Sequence, residues 1–120
     1  MTKLTIDTIG KILFSNKKIE LDQPTLNRVN KSYHFLHDFS QNKIIYGVNT
    51  GFGPMAQYRI ENENKIQLQY NLIRSHCTGI GEPLTLPQTK AAVIARLNTL
   101  SLGFSGIHPS ALLLMQELVN

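Results

Sequence analysis

The sequence predicts a mainly α-helical domain with one or two short strands near its N-terminus. Apolar residues recur at spacings of three and four along several stretches, which is the pattern of a buried helix face. Prolines stand near the start of three of these stretches, and proline suits the first turn of a helix because its missing N–H would have no partner there. The length of 120 residues is that of one domain, and no repeat, low-complexity tract or linker divides it.

The elements near the N-terminus are short. "KLTI" at 3–6 and "KKIEL" at 17–21 have the length of small strands, and a helix of one or two turns is predicted from about Asp7 between them. Asp22 precedes Pro24 by two residues, which is typical of the start of a helix. The helix that follows has one apolar face, formed by Leu26, Val29, Tyr33, Leu36 and Phe39.

Three further helices follow a brief extended piece, "NKIIYG" at 42–47. The first, over about 62–77, has two apolar stripes, so we expect it to be covered on more than one side. The stripes are Ile66, Tyr70 and Ile73, and Leu68 and Leu72. Pro87 opens the next helix, whose "AAVIA" segment at 91–95 is apolar all round and is predicted to be deeply buried. Pro109 begins the last helix.

The last helix, "SALLLMQELVN", is still apolar where the sequence stops. Several helices with more than one apolar face in so small a chain imply further surface to pack against. We therefore expect a fragment of a longer protein, an oligomer, or both.

Composition excludes several classes of protein. The apolar share of 42% is normal for a globular protein, and no apolar run approaches the roughly 20 residues that span a bilayer. The N-terminus lacks the long apolar region and cleavage site of a secretory signal. Cys77 is the single cysteine, so an internal disulfide or a cysteine-based zinc site is impossible. These features favour a reducing cytoplasm and no membrane association.

The net charge of +4 raises the question of nucleic acid. Only Lys17 and Lys18 are adjacent, and the other basic residues are scattered singly. A surface that follows phosphates usually shows a basic stripe or patch, so we expect no nucleic-acid partner.

A glycine-rich loop, "YGVNTGFG" at 46–53, is the first stretch that could carry chemistry. It lacks the Gly-Lys-Ser/Thr of a phosphate loop and the spacing of a dinucleotide loop. It is predicted to be a flexible loop with Tyr46 at its base and Asn49 and Thr50 as hydrogen-bonding groups. The alternative is an exposed turn with Tyr46 packed in the core.

Histidines offer the other candidates. His76 ends a predicted helix in "NLIRSHCTGIG", where the helix dipole favours it, and the adjacent Cys77 points elsewhere because neighbours on a helix diverge. His34 and His37 lie three apart without a third ligand in sequence, so we expect surface residues and no metal site. His108, before a proline, is predicted to be a turn residue.

Three motifs together are more specific. "YGVNTGFG", then "LQYNLIRSHCTGIGEPL", then "LNTLSLGFSGIHP" occur in an order and spacing that resemble the aromatic amino acid lyases. The chain is similar to the N-terminal part of a histidine ammonia-lyase from about Leu4 to Asn120. The resemblance is weakest before residue 40 and strongest at the motifs. It implies the N-terminal helical domain of the lyase fold over residues 1–120.

The resemblance also implies roles for individual residues. Tyr46 matches the base that removes the β-proton of the substrate, or helps to do so. Gly53 matches a position whose backbone contacts the amino acid end of the substrate. His76, preceded by Ser75, matches the position that selects the substrate side chain. The Ser-His pair of this position implies L-histidine as the substrate, with urocanate as the product. Because a histidine can hydrogen-bond an imidazole or a phenol about equally well, L-tyrosine stays open as the alternative.

The electrophile of this family is a methylidene-imidazolone ring made from an Ala-Ser-Gly tripeptide, and no Ala-Ser-Gly occurs in these 120 residues. The resemblance therefore implies that the electrophile lies further along the protein and that this chain alone is inactive. It also implies that the working enzyme is a homotetramer. An aminomutase of the same family stays open. So does a non-catalytic helical interaction module, which the gene would distinguish by a stop codon instead of an Ala-Ser-Gly soon after Asn120.

Overall fold

A computed structural model of the protein describes residues 4–120, apart from the side chain of Asn62. Five helices account for most of these residues, which confirms the prediction of a mainly α-helical chain. They are α1 (Ile6–Phe14), α2 (Gln23–Gln41), α3 (Lys65–His76), α4 (Leu86–Ser101) and α5 (Pro109–Val119). Short 3₁₀ turns lie at Gly53–Met55 and Asn62–Asn64. No helix in the described part of the chain is both long and apolar enough to cross a membrane.

The chain forms two compact units. The first joins the described part of Met1–His37 to Pro83–Asn120, and the second is Asp38–Glu82. The first unit therefore holds α1, α4, α5 and most of α2, whereas the second holds the glycine-rich loop and α3.

The helices begin where local chemistry favours a start. The Thr5 hydroxyl accepts a hydrogen bond from the Thr8 N–H at 3.2 Å and caps α1. The Asp22 carboxylate accepts from the Thr25 N–H at 3.0 Å, so the predicted start of α2 is confirmed. At α4, Thr85 and Gln88 form a capping box, which satisfies backbone groups that the first turn leaves without partners.

The two segments expected to be short strands form no strand in the described residues. Lys3 lies outside them, and Ile6 already belongs to α1. The segment 17–21 is paired with side chains of the last helix rather than with a strand. The Ile19 N–H donates to the Asn120 Oδ1 at 2.8 Å, and the Asn120 Nδ2 donates back to the Ile19 carbonyl at 2.9 Å. A carboxamide offers the same donor and acceptor as a peptide unit, so it can take the place of a neighbouring strand.

The core of the first unit is made by apolar side chains from α1, α2, α4, α5 and the segment 17–21. Its buried members are Ile12, Ile19, Val29, Ile94, Leu97, Leu100, Leu112 and Val119. The prediction that "AAVIA" is deeply buried all round was wrong. Ile94 is buried, but Ala92 and Ala95 are exposed because a period of 3.6 residues turns them to the outer side of α4.

Other expected apolar faces are covered only in part. On α2, Val29 is buried, whereas Phe39 at the end of the same stripe is exposed. The predicted helix over 62–77 is α3 preceded by a 3₁₀ turn. Its two apolar stripes are less buried than expected. The stripe of Ile66, Tyr70 and Ile73 is exposed within the described chain, while the side chains of the other stripe are half-buried.

Glycines permit two close approaches in the first unit. Gly103 has φ +75°, and a Cβ there would lie 2.7 Å from the Arg28 Cγ. Its bare backbone lets the Arg28 guanidinium donate to the Ser101 carbonyl at 2.8 Å. Gly106 has φ +67°, and a Cβ there would overlap the Leu36 side chain. The connection between α4 and α5 is therefore fitted against α2.

Candidate active-site loop

Tyr46 lies in a turn, not in the extended piece expected over 42–47, because the Val48 N–H donates to the Ile45 carbonyl at 3.1 Å. The Tyr46 side chain is 63% exposed, so the alternative of a tyrosine packed in the core was wrong. The Phe52 ring meets the Tyr46 ring edge-on, with centroids 6.0 Å apart. The Tyr46 hydroxyl accepts a long hydrogen bond of 3.4 Å from the Gly53 N–H. The phenol is thus presented to the surface with its oxygen above the end of the loop.

Asn49 holds this loop from inside. Its side chain is 1% exposed and makes three hydrogen bonds to backbone groups. The Nδ2 group donates to the Ser40 carbonyl at 2.8 Å and to the Lys43 carbonyl at 2.7 Å. The Oδ1 atom accepts from the Ile45 N–H at 2.8 Å. Main-chain bonds add to this, since the Asn49 carbonyl accepts from the Ile60 N–H at 2.9 Å.

Thr50 is buried beside it. The Thr50 hydroxyl accepts from the Gly47 N–H at 3.2 Å and donates to the Gly51 carbonyl at 2.8 Å. An isolated antiparallel bridge joins Thr50 to Arg59. The sequence identified Asn49 and Thr50 as hydrogen-bonding groups, and the structure shows that they bond inward. The loop is therefore braced at its centre rather than free along its length.

The three glycines of the loop have different reasons to be glycine. Gly47 and Gly53 have φ of +73° and +55°, a region that side chains disfavour. Gly51 has an ordinary φ but no room, because a Cβ there would lie 2.8 Å from the Met55 carbonyl oxygen. Together they allow the chain to turn back so that the Gly53 N–H meets the Tyr46 oxygen.

His76 is the last residue of α3 and is exposed. Its Nδ1 atom lies 2.9 Å from the Leu72 carbonyl oxygen and 3.0 Å from the Ser75 hydroxyl. A carbonyl can only accept, so Nδ1 carries the proton and Nε2 is the acceptor in the neutral ring. Cys77 caps the helix, and its thiol donates to the Arg74 carbonyl at 3.3 Å, as expected for a thiol directed away from His76.

The other histidines are not arranged for metal binding. His34, His37 and His108 all pack around the Tyr33 ring, with centroid distances of 5.3, 6.3 and 4.7 Å. His108 also caps α5, where its Nδ1 accepts from the Ser110 N–H at 3.2 Å. Over residues 4–120 no three histidine, cysteine or acidic side chains are grouped so that they could hold a metal ion.

Of the three residues predicted for the site, the structure joins two directly. Tyr46 and Gly53 are hydrogen-bonded. In the part of the chain that the structure describes, no hydrogen bond or ring contact links either of them to His76. Asn49 was missed as a buried support. Asparagine favours turns and bonds to nearby backbone groups, and that preference was the available signal.

Comparison with known proteins identifies the family of the chain. The family model described as "Aromatic amino acid lyase" matches residues 4–120. The chain belongs to the aromatic amino acid lyase family. The match covers the range over which the sequence resembles the N-terminal part of these lyases, and it confirms that resemblance.

Curated relatives of this lyase-family chain are histidine ammonia-lyases. It is 36% identical over 118 residues to the histidine ammonia-lyase of Streptococcus pyogenes serotype M3, and the alignment covers 98% of this chain and 23% of that protein. It is 34% identical to the probable histidine ammonia-lyase of Thermoplasma acidophilum, of which it covers 24%. The chain thus spans about a quarter of the length of these relatives.

Solved structures show that the helical fold is that of the lyase family. The tyrosine aminomutase from Streptomyces globisporus superposes with a TM-score of 0.88 at 31% identity, covering 98% of this chain and 22% of that one. The phenylalanine aminomutase of Pantoea agglomerans gives a TM-score of 0.89 at 28% identity, covering 98% and 23%. The ergothionase of Treponema denticola, at 24% identity and a TM-score of 0.91 over 99% of this chain and 24% of that one, shows the fold alone.

Proposed function

We propose that the chain is the N-terminal part of an ammonia-lyase that eliminates ammonia from L-histidine to give urocanate. Its role is to supply Tyr46 as the base that removes the β-proton. The observation that carries this proposal is the exposed phenol of Tyr46, whose oxygen is met by the N–H of Gly53. Exposure leaves that oxygen accessible to a substrate, and the N–H of Gly53 orients the hydroxyl over the end of the loop.

Tyr46 needs help to act as a base, because a phenol is ordinarily protonated at neutral pH. In the described residues Gly53 supplies the one hydrogen-bond donor to its oxygen, and that bond is long at 3.4 Å. A phenolate would shorten it, since hydrogen bonds to ionised acceptors are shorter and stronger. We propose that further positive charge or donors come from parts of the enzyme beyond this chain.

Gly53 has both backbone groups engaged already. Its N–H lies on the Tyr46 oxygen, and its carbonyl accepts from the Ala56 N–H at 3.0 Å. A carbonyl oxygen has a second lone pair. We propose that this lone pair accepts a hydrogen bond from the ammonium group of the substrate, which would satisfy the substrate contact that the family resemblance implies.

No residue of this chain forms the electrophile, because the chain contains no Ala-Ser-Gly. In the enzyme we propose, covalent activation of the substrate for loss of its amino group would be supplied by a methylidene-imidazolone formed outside this chain. The residues described here would bind the substrate and take up its proton, so the 120-residue chain alone would be inactive. No metal or diffusible cofactor enters this proposal.

His76 would recognise the substrate side chain through Nε2. Because its Nδ1–H is directed to Leu72, Nε2 is left as an acceptor for the N–H of an imidazole. A phenol O–H would serve equally, and the structural similarity to a tyrosine aminomutase favours L-tyrosine as the second candidate substrate, for elimination or amino-group migration. The curated relatives favour L-histidine.

Assembly and location are further parts of the proposal. Exposed apolar side chains on α3 would be covered in a homotetramer of the complete enzyme. The single cysteine is consistent with a reducing cytoplasmic compartment.

The decisive experiment uses the full-length protein with L-histidine and L-tyrosine, and follows the ultraviolet absorbance of the conjugated product. We expect turnover with L-histidine, and we expect Tyr46→Phe to lower kcat by orders of magnitude while the circular dichroism spectrum stays unchanged. Near-normal turnover in Tyr46→Phe would show that Tyr46 is not the base. Absence of turnover, with no Ala-Ser-Gly encoded after Asn120, would favour a helical interaction module instead.

A further inference from the structure

We propose that Asn49 is a positioning residue for Tyr46. Its carboxamide does not act on the substrate, but fixes the backbone that presents the phenol. The inference rests on the proposed function, in which Tyr46 is the base.

The hydrogen bonds of Asn49 close a compact ring of main chain around residues 40–49. Three bonds of 2.7–2.8 Å from one side chain reach the carbonyls of Ser40 and Lys43 and the N–H of Ile45. The Asn49 N–H also donates to the Ile45 carbonyl at 3.2 Å. Both peptide groups of Ile45, the residue before Tyr46, are therefore tied to Asn49.

The requirement is specific for a carboxamide. The site needs two donors and one acceptor in a buried space, and asparagine supplies that set at this size. An aspartate would keep the acceptor for Ile45 but would place an oxygen against the carbonyls of Ser40 and Lys43. A leucine would remove all three of these hydrogen bonds to backbone groups, and losing hydrogen bonds in a buried space is costly. No buried side-chain nitrogen or oxygen among the described residues lacks a partner in the present arrangement.

The consequence concerns the position of the phenol. Tyr46 follows the tied Ile45, and its ring and hydroxyl meet Phe52 and the N–H of Gly53 on the opposite limb of the loop. If the ring of bonds at Asn49 opens, the Tyr46 backbone is freed and these contacts lose their alignment. A misplacement of about 1 Å in a catalytic group can cost roughly 10²-fold in rate.

The test is a double-mutant cycle in the full-length enzyme. Asn49→Asp, Tyr46→Phe and the double variant are compared for kcat and KM, and Asn30→Asp on the exposed side of α2 is the matched control for the same chemical change. We expect Asn49→Asp to lower kcat by about 10²-fold, with a smaller change in KM. In the Tyr46→Phe background it should have little further effect, because the group that it positions is absent.

Two outcomes overturn the inference. An equal loss of kcat in both backgrounds would show a general structural role, and near-normal kcat in Asn49→Asp would show no role. Near-normal kcat in Tyr46→Phe alone would instead overturn the proposed function, which keeps the two failures distinct. If Asn49→Asp does not fold by circular dichroism, Asn49→Gln replaces it in the cycle, because glutamine keeps the donors and acceptor but displaces them by one methylene.

Discussion

At the scale of single residues, the glycine loop depends on space as much as on backbone conformation. The position of Gly51 illustrates this, because its φ is ordinary and any residue could adopt it. What it lacks is room, since a Cβ would sit 2.7 Å from the Cβ and 2.8 Å from the carbonyl oxygen of Met55. The turn that follows, which carries the N–H of Gly53, would have to move.

Gly51→Ala is therefore expected to destabilise the loop by about 1–3 kcal/mol and to lower kcat in the full-length enzyme. Urea unfolding and steady-state kinetics measure the two effects. Gly79→Ala is the matched control in the same unit, because its Cβ would meet nothing within 4 Å. Equal behaviour of the two variants would show that the approach to Met55 is not required.

His76 supports a prediction about substrate binding. His76→Leu removes the Nε2 acceptor while keeping an apolar side chain, so we expect KM for L-histidine to rise by up to about tenfold, the value of one neutral hydrogen bond. Ser75→Ala should have a smaller effect, because the Nδ1–H bond to Leu72 remains and keeps the ring oriented. An unchanged KM in His76→Leu would exclude Nε2 from substrate recognition.

Residue-level prediction from sequence succeeded where side-chain chemistry is local. The predicted Asp22 start and the His76 helix end follow from short-range preferences and are present in the structure. The burial of Asn49 depends on Ser40 and Lys43 arriving as acceptors, which is a property of the folded turn. Sequence alone therefore identified a polar residue in the loop but not the direction of its side chain.

At the scale of elements, the segment 17–21 is held to α5 by two side chains. Asn120 makes two hydrogen bonds with Ile19, and the Gln116 Oε1 accepts from the Leu21 N–H at 3.0 Å. The segment has a strand-like composition, which explains the strand prediction. The partner is a helix, and no local pattern in the sequence encodes that choice.

Asn120→Leu should lower the free energy of unfolding by about 1–3 kcal/mol, because it leaves two backbone groups of Ile19 unpaired. Gln116→Met removes one bond and should cost less. Urea denaturation followed by circular dichroism measures both. If Gln116→Met proved the more damaging variant, the pairing of Asn120 with Ile19 would not be the main attachment.

For the helices too, the starts could be predicted from sequence, whereas the buried face could not. Prolines near the first turn marked the starts of α4 and α5, because proline acts through its own backbone. The burial of "AAVIA" was overestimated, since composition gives no rotation of the helix about its axis. Only the neighbours of α4 determine that Ile94 faces inward and Ala92 outward.

At the scale of the whole molecule, the described chain exposes many large apolar side chains. Twenty of them are exposed, against eight apolar side chains in the buried core. Such an excess is unusual for a free-standing domain and typical of a surface that another part of a protein covers. The sequence predicted the need for a further surface through its double-striped helices, but it could not say which stripe remains open.

We expect the 120-residue chain, produced alone, to self-associate through these side chains. Replacing Ile66 and Ile73 on the exposed stripe of α3 by glutamate should reduce the association, because charge opposes desolvation of that face. Sedimentation velocity over a range of concentrations measures it. The control replaces Glu63 by glutamine, which changes charge without removing apolar area. A monomeric wild-type chain would contradict the expectation.

The pairing of Ile19 with Asn120 spans 101 positions of sequence, and this has a consequence for synthesis. While the ribosome is still making the protein, the segment near Ile19 must wait for its partner until α5 has emerged from the exit tunnel. The side-chain bonds of Asn49 join residues no more than nine apart and can close much earlier. In a nascent-chain proteolysis experiment, the turn at Tyr46 should therefore become protected before Ile19 pairs with Asn120 in the first unit.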